Sequence, residues 1–156
     1  MRLDWGMLCD AATTRDNLAF ILGAGIDTLQ SAPLVPGQTT VPGQLGQPVQ
    51  MAVALRFLLA RGELGRPHNF EVKTSGVDGA EIGKIAGNFF APPNPLLEAG
   101  WDQPIVVTLA HQMAPLQFGS YSIDIFADGT HIKSLPFRII PAQVPPGFPG
   151  GGAPPG

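Results

Sequence analysis

The sequence predicts an all-β fold, an antiparallel β-sandwich of about seven or eight strands in an Ig-like or C2-like arrangement. Glycine and proline contribute 20 and 17 of the 156 residues, and both are costly inside helices. Several segments alternate apolar and polar side chains with the period of two that marks a half-buried strand. Turn-forming residues separate these segments, as in a sandwich built from short strands.

The clearest strands form a hairpin near the end of the chain. The apolar residues of its first strand lie at every second position: Tyr121, Ile123 and Ile125. The following Asp128-Gly129 pair is a strong two-residue turn signal, and residues 131–140 form the return strand. Pro136 has no backbone N–H to donate, which predicts a sheet edge or a bulge at that position.

Earlier segments predict the remaining strands. The first strand has bulky side chains at alternate positions: Leu3, Trp5, Met7 and Cys9. Residues 17–22 are expected to pair with it, and Gly23-Ala24-Gly25 indicates a bulge before a strand at residues 26–29. Three more strands are expected in the middle of the chain: residues 70–74, 82–90 and 105–113. A turn at Val77-Asp78-Gly79 closes the first of these three.

Residues 49–61 carry two conflicting signals. Large apolar side chains occupy the odd positions from Val49 to Leu59, as in a strand. The segment is also rich in alanine and leucine, which favour helices. We predict a strand, because the neighbouring segments are all strands and six successive alternations seldom arise by chance.

One domain of ordinary size is expected over residues 1–140. Within it, residues 31–48 form a proline- and glycine-rich loop insertion, in which Val-Pro-Gly-Gln occurs at 35–38 and again at 41–44. Each copy predicts a turn. Residues 141–156 contain 11 prolines and glycines, so this tail is expected to be disordered or extended.

Composition also limits the expected compartment and partners. The net charge of −3 lacks the basic surface that nucleic-acid binders use. No segment has the roughly 18 consecutive apolar residues of a membrane helix. The first residues lack the apolar run of a signal peptide, and the single cysteine cannot form an internal disulfide. We therefore expect a cytoplasmic protein that binds neither nucleic acid nor a membrane.

Several short motifs resemble those of a known family in their order and spacing. They are Cys9-Asp10-Ala11-Ala12 with Arg15, Leu22-Gly23-Ala24-Gly25-Ile26-Asp27, Glu63-Leu64-Gly65-Arg66-Pro67-His68, and Gly119-x-Tyr121 followed by Asp128-Gly129 and Leu135-Pro136-Phe137-Arg138. Over roughly residues 3–140 the chain resembles a family of small uncharacterised bacterial proteins, a domain of unknown function of about this length. The resemblance implies a β-sandwich. It supplies no catalytic residue, because no activity is established for that family.

Cys9 and the three histidines are the residue types that nucleophilic or metal chemistry would use. Cys9 shares the phase of the other bulky residues of the first strand. This predicts a small core residue rather than a reactive thiol, because burial away from positive charge disfavours the thiolate. His68, His111 and His131 form no His-x-His or His-x₃-His pair. We expect His111 at the sandwich rim, His131 in solvent, and no metal site.

Two further segments have both a structural and a functional interpretation. Gly23-Ala24-Gly25 is similar to a phosphate loop but lacks the Gly-Lys-Ser/Thr ending and a following helix, so we favour a bulge or a close backbone approach. The segment Glu63-Leu64-Gly65-Arg66-Pro67-His68 could hold an anion through Arg66 and His68. We favour a shaped turn with a surface pair between Glu63 and Arg66. Turn hydrogen bonds and local ion pairs are expected for the nearby charged residues: Asp10, Arg15, Asp16 and Asp27.

The most informative feature is an absence of charge. No Asp, Glu, Lys or Arg occurs in residues 28–55 or 103–123. The residues expected on the outer strand faces there are uncharged and mostly small: Ala52, Ala54, Leu58, Val106, Thr108 and Ala110. Such a face lacks the lysines that keep exposed strands apart, and burying it costs little polar desolvation. Alternatively, the loop at 31–48 or the tail covers this face within the monomer.

We therefore predict a non-catalytic structural or protein-interaction module that needs no cofactor or metal. Its expected partner is protein, itself or another, bound through the uncharged strand face, and self-assembly into a homo-oligomer or larger array is the leading expectation. The alternative is a small-molecule or carbohydrate-binding β-sandwich in which Trp5, Trp101 or Tyr121 stacks on the ligand and residues 31–48 act as a lid. A third hypothesis, a hydrolase with Cys9 as nucleophile, requires a thiol that reacts in the native protein.

Overall fold

Strands dominate the part of the chain that the computed structural model describes, residues 1–34, 37 and 41–143. The ten strands are β1 (Arg2–Cys9), β2 (Ala11–Arg15), β3 (Leu18–Leu22), β4 (Thr28–Ser31), β5 (Val49–Leu59), β6 (Pro67–Ser75), β7 (Glu81–Phe90), β8 (Gln103–Met113), β9 (Gly119–Ala127) and β10 (Thr130–Pro141). One 3₁₀ turn, Arg61–Glu63, follows β5. The predicted all-β sandwich is confirmed, with more strands than the seven or eight expected.

The strands form three layers. A five-stranded sheet in the order β4-β10-β9-β6-β7 faces a three-stranded sheet in the order β1-β5-β8. The separate β2–β3 hairpin lies against the other side of the three-stranded sheet, where Ala12 and Ile21 pack on β5. The expectation of a fully antiparallel arrangement is wrong at one pair, because β4 runs parallel to the end of β10.

The main core lies between the two larger sheets. β5 contributes apolar side chains at odd positions, and β6, β9 and β10 contribute the opposite wall. The buried residues that form this core include Val53, Leu55, Phe57, Leu59, Phe70, Val72, Tyr121, Ile123, Ile125, Phe137 and Ile139. The alternation read from the sequence therefore corresponds to the inner faces of the sandwich.

The strand prediction for residues 49–61 is confirmed by β5, the central strand of its sheet. Its odd positions enter the main core, while Ala52 and Ala54 belong to a second apolar cluster on the opposite face. Because both faces of β5 are covered, packing overrides the helix propensity of its alanines and leucines.

The C-terminal hairpin forms as predicted. Asp128 and Gly129 have φ values of 48° and 80°, the left-handed conformations that a tight two-residue hairpin turn requires. Pro136 pairs with β9 only, because the pairing between β10 and β4 begins at Arg138. β10 is the second strand of its sheet rather than an edge strand, so the prediction holds only locally, where one side of β10 is unpaired at Pro136. The irregularity in β10 lies between His131 and Lys133.

The N-terminal pairing differs from the prediction. β3 pairs with β2 rather than with β1, through a turn in which Asp16 and Asn17 have φ values of 51° and 59°. β1 has a register shift between Leu3 and Trp5. After the shift, Gly6 faces the main core, where a Cβ added to it would lie 3.0 Å from Leu55 and 3.3 Å from Ile125. Trp5 therefore faces the second cluster instead.

Residues 23–27 form a loop rather than a bulge within a strand, and the following strand is confined to Thr28–Ser31. Gly23 and Gly25 both have positive φ. A Cβ on Gly23 would overlap the carboxylate of Asp10, so the predicted close approach is confirmed at this glycine. In the proline-rich loop, Gly43 has φ of 78° and the Gln44 N–H donates to the Val41 carbonyl, as the predicted turn requires. Residues 35–36, 38–40 and 144–156, which include three of the four residues of the first Val-Pro-Gly-Gln copy and most of the tail, lie outside the described residues.

Gly87 on β7 provides a test of the packing. The register sets it opposite Phe70, and a Cβ added there would lie 2.5 Å from Phe70 Cζ. We expect Gly87→Ala to lower the free energy of unfolding by about 1–3 kcal/mol through overpacking. Urea denaturation followed by circular dichroism measures the change.

Gly83→Ala is the matched control on the same strand, because a Cβ there meets nothing closer than 3.8 Å. We expect it to be neutral or slightly stabilising, since alanine restricts the unfolded chain more than glycine does. Equal stability losses in the two variants would contradict the proposed Phe70 contact.

Candidate interaction surface

The β2–β3 hairpin carries the largest group of exposed apolar side chains on one strand. Leu18, Phe20 and Leu22 are 62%, 54% and 69% exposed, and they lie at alternate positions on the outer side of β3. Their partners across the ladder are Arg15, Thr13 and Ala11. We call the row formed by Leu18, Phe20 and Leu22 the hairpin face.

A second apolar cluster holds the inner side of the hairpin. Cys9 of β1 and Ala52 and Ala54 of β5 are buried there, and Ala12 and Ile21 of the hairpin pack on them. Trp5 and Met7 complete the cluster. Because the alanines are small, Ala12 and Ile21 pack directly on this part of β5.

Polar contacts attach the hairpin to the edge of β8. The Val106 N–H donates to Asn17 Oδ1 at 2.9 Å, and Asn17 Nδ2 donates to the Pro104 carbonyl at 2.5 Å. The Thr14 and Thr108 hydroxyls are 3.1 Å apart. The Asn17 amide therefore bonds two backbone groups of β8 as a neighbouring strand would, and the hairpin tip is held in place.

The predicted uncharged strand face is largely closed by this layer. Ala52 and Ala54 do point away from the main core, as expected, but they are 5% and 0% exposed. The expectation that they form an open face is therefore wrong, because Ala12 and Ile21 cover them. The remaining members range from half-buried to exposed: Leu58, Val106, Thr108 and Ala110.

Cys9 is a buried free thiol, as predicted, but it lies in the second cluster rather than in the main core. Its Sγ contacts the Ala52 carbonyl oxygen at 3.5 Å. Burial raises the pKa of the thiol, and the negative charge of Asp10 raises it further. Both effects disfavour the thiolate that a nucleophile needs.

His68 is fully buried and has partners on both ring nitrogens. Nδ1 is 2.8 Å from Asp128 Oδ2, and Nε2 is 2.8 Å from the Glu63 carbonyl oxygen. Asp128 also accepts the Asn69 N–H. Burial alone would raise the pKa of Asp128, but these hydrogen bonds and the His68 charge outweigh it and lower the pKa. His68 thus links the 3₁₀ turn at Arg61–Glu63 to the turn between β9 and β10. The expected ion pair between Glu63 and Arg66 is confirmed, with Arg66 Nη2 3.8 Å from Glu63 Oε1.

The other two histidines occupy the environments expected for them. His111 is half-buried at the inner side of β8, with Nε2 3.1 Å from the Thr74 hydroxyl. His131 is exposed and 3.1 Å from the Ser134 hydroxyl. Within residues 1–34, 37 and 41–143, no three His, Cys, Asp or Glu side chains come together as a metal-ligand set.

Asp124 organises a small polar group near His131. It accepts hydrogen bonds from the hydroxyls of Ser75, Ser122 and Ser134. Burial alone would raise the pKa of this carboxyl, but the three hydroxyls and the nearby His131 lower it overall. Elsewhere, Arg15 and Asp16 form the predicted local ion pair, with Arg15 Nε 3.6 Å from Asp16 Oδ2 and both side chains exposed.

The three aromatic residues proposed as a ligand platform have different environments. Trp101 is exposed on the loop before β8. Tyr121 is buried and stacked on Phe137, with ring centroids 5.6 Å apart. Trp5 packs against the second cluster. Trp101 is therefore the one member of this set that presents an open ring to a ligand.

The comparisons with known proteins identify a family without a described activity. The model of DUF6941, a family of unknown function, matches residues 4–140. No curated protein matches the chain. No helix in the described part of the chain combines the length and apolarity needed to cross a membrane.

The cover over Cys9 can be tested by thiol labelling. We expect a water-soluble disulfide reagent to label Cys9 more than 100-fold more slowly in the native protein than in the unfolded chain, because the thiol is buried and its pKa is raised. Ile21→Ala removes a side chain that packs on the cluster and is expected to speed native labelling. Absorbance of the released thiol measures the rate.

Leu22→Ala is the neighbouring control, because Leu22 lies on the outer side of the hairpin. We expect its labelling rate to match that of the unchanged protein. If both variants label at the same raised rate, the hairpin opens as a whole and Ile21 has no special role in covering Cys9.

The Asp128 carboxylate predicts an acid-dependent loss of stability. Its pKa is lowered in the folded protein, so its contribution is present above the unfolded value of about 3.9 and is lost as the pH falls through the lower folded value. We expect the urea concentration at the unfolding midpoint to decrease as the pH is lowered below about 4, and to decrease less steeply in Asp128→Asn. Asp124→Asn provides the parallel case, and the double variant should have the flattest profile. Parallel profiles for Asp128→Asn and the unchanged protein would contradict the stabilising role of the His68–Asp128 contact.

Proposed function

We propose that this chain, which belongs to the DUF6941 family, is a non-catalytic protein-interaction module that associates with a second copy of itself through the hairpin face. The supporting observation is the exposure of Leu18, Phe20 and Leu22 in one row on a hairpin that is anchored underneath. Self-association removes this row from water, and the loss of exposed apolar area is the driving force.

A second copy fits the hairpin face because the row is close to symmetric. β3 reads Leu-Ala-Phe-Ile-Leu, so a twofold axis through Phe20 packs one Phe20 on the other and sets each Leu18 against a Leu22. A twofold interface uses the same patch on both copies and is therefore self-complementary. Residues 17–26 carry no formal charge. Arg15, which lies opposite Leu18, is placed by the same axis at opposite ends of the two rows, so the two Arg15 side chains stay apart.

The size of the hairpin limits the strength of the contact. β2 and β3 are five residues each, a surface well below the roughly 800 Å² per partner of a standard interface. We therefore expect a dissociation constant in the micromolar range. A larger array requires a second surface, and Leu96 and Trp101, both exposed on the loop before β8, are apolar groups suited to one.

The environments of Cys9 and His68, two residues of types suited to catalysis, support a non-catalytic role. The Cys9 thiol is buried with a raised pKa, and both ring nitrogens of His68 bond groups of the protein itself. The cytoplasmic location and the bacterial source stay predictions. The carbohydrate-binding alternative now rests on Trp101 alone, a residue that is 68% exposed.

Light scattering coupled to size exclusion tests the proposal between about 10 and 200 µM. We expect the average mass to rise with concentration toward that of a dimer, and Phe20→Thr to weaken association by about 10- to 150-fold. Phe20 is 54% exposed, so each copy buries roughly half the 1.5–3 kcal/mol of a full side chain, and two copies contribute.

Phe90→Thr is the matched control, since Phe90 is 58% exposed on β7 and lies outside the hairpin. We expect this variant to associate like the unchanged protein. A monomer at every concentration would overturn self-association. Association that is lost in Phe90→Thr and kept in Phe20→Thr would move the contact to β7.

A further inference from the structure

A pocket of about 350 Å³ opens at one end of the sandwich, between the β6–β7 turn and the segment that follows β8. Its volume falls within the range of small-molecule sites in proteins. It is separate from the hairpin face, because none of Leu18, Phe20 and Leu22 lines it. Self-association through the hairpin face therefore does not explain the pocket.

The walls of the pocket are mainly apolar. Val77 and Ile82 line it from the β6–β7 hairpin, and Met113 and Leu116 line it from the end of β8 and the loop beyond. Val77, Ile82 and Leu116 are each more than 40% exposed, although they line a concavity. A ligand that fills the space would bury these side chains without any rearrangement of the strands.

Two polar side chains at the inner end give the pocket an orienting group. His111 Nε2 is 3.1 Å from the Thr74 hydroxyl. If Nε2 donates to that hydroxyl, Nδ1 of the neutral ring is an acceptor, and if Nε2 accepts from it, Nδ1 is a donor. Burial lowers the pKa of His111, so the ring is neutral near pH 7. The Tyr121 hydroxyl, also in the lining, already donates to the Gln117 carbonyl.

The charge of the lining selects against anions. Among the lining residues that the structure describes, Asp78 is the one acidic side chain, and none is Lys or Arg. Its Oδ1 accepts the Ala80 N–H, which holds the carboxylate at the turn. An anionic ligand would meet this charge with no compensating cation, whereas an uncharged ligand would not.

We propose that this pocket binds a small, uncharged, mainly apolar molecule that carries one hydrogen-bonding group. At about 30 Å³ for each water-sized group, the volume admits roughly a dozen non-hydrogen atoms. The apolar part lies against Ile82, Met113 and Leu116, and the polar group bonds the His111–Thr74 pair. The proposal does not depend on self-association.

Indole is a suitable first probe, because it is uncharged, planar and carries a single N–H donor. Titration of the isotope-labelled full chain, followed by methyl NMR, is expected to shift Ile82, Met113 and Leu116 with a dissociation constant of about 0.1–1 mM. Indole-2-carboxylate, which adds a negative charge, should bind at least tenfold more weakly. Asp78→Asn should narrow that difference.

Gly83→Val blocks the pocket from within. Gly83 lines the pocket, and its added Cβ would meet only Thr74, at 3.8 Å. We expect this variant to fold and to bind indole at least tenfold more weakly. Ala86→Val makes a similar change at an exposed position of the same strand and should leave binding within twofold. Leu116→Trp, at the exposed mouth, gives a second block if Gly83→Val fails to fold.

The outcomes separate this proposal from the proposed function. Indole binding that persists in Phe20→Thr supports a site independent of the hairpin face. The pocket proposal is overturned if indole shifts no lining methyl, if neither blocking variant weakens binding, or if indole-2-carboxylate binds as tightly as indole. Shifts confined to the region of Trp101 would place the ligand at the exposed aromatic instead.

Discussion

The burial of β5 on both faces is the constraint from which the rest of the structure follows. Its odd positions fill the space against the five-stranded sheet, and its opposite face presents Ala52 and Ala54 to the hairpin. The positions of β5 that the hairpin covers, Ala52 and Ala54, could not carry a charge without burying it unpaired, which is costly. Arg56, further along the same strand, is half-buried and pairs with Asp4 at 2.9 Å. The uncharged residues of β5 between Val49 and Leu55 are therefore consistent with a strand that is covered on both faces.

The third layer also determines which apolar groups stay exposed. A two-stranded hairpin has two faces, and here one of them covers the second cluster while the other carries Phe20 and its neighbours. Asn17 bonds the edge of β8, so the hairpin is held before any partner arrives. A surface that is already ordered loses less conformational entropy on binding than a mobile one, which favours association even through a small patch.

Local patterns predicted most strands because each has one face in the main core. Alternation in β9 and β10, and the Asp128-Gly129 turn between them, needed no knowledge of distant contacts. The pairing of β3 did require such knowledge, since Asp16-Asn17 adopts the left-handed turn without glycine. The register shift in β1 and the parallel pairing of β4 likewise depend on neighbours far along the chain.

The interaction surface, like the pairing of β3, depends on contacts between residues far apart in the chain, and the sequence alone did not reveal those contacts. The absence of charge in residues 28–55 is compatible with a partner protein or with another layer of the same chain, and composition alone cannot separate the two. Ala52 and Ala54 are uncharged because another layer of the same chain covers them, through Ala12 and Ile21. The uncharged stretch at residues 17–26 differs, because it leaves Leu18 and Leu22 more than 60% exposed. Large apolar side chains that remain exposed after every layer is placed are thus the better indicator of a docking surface than missing charge.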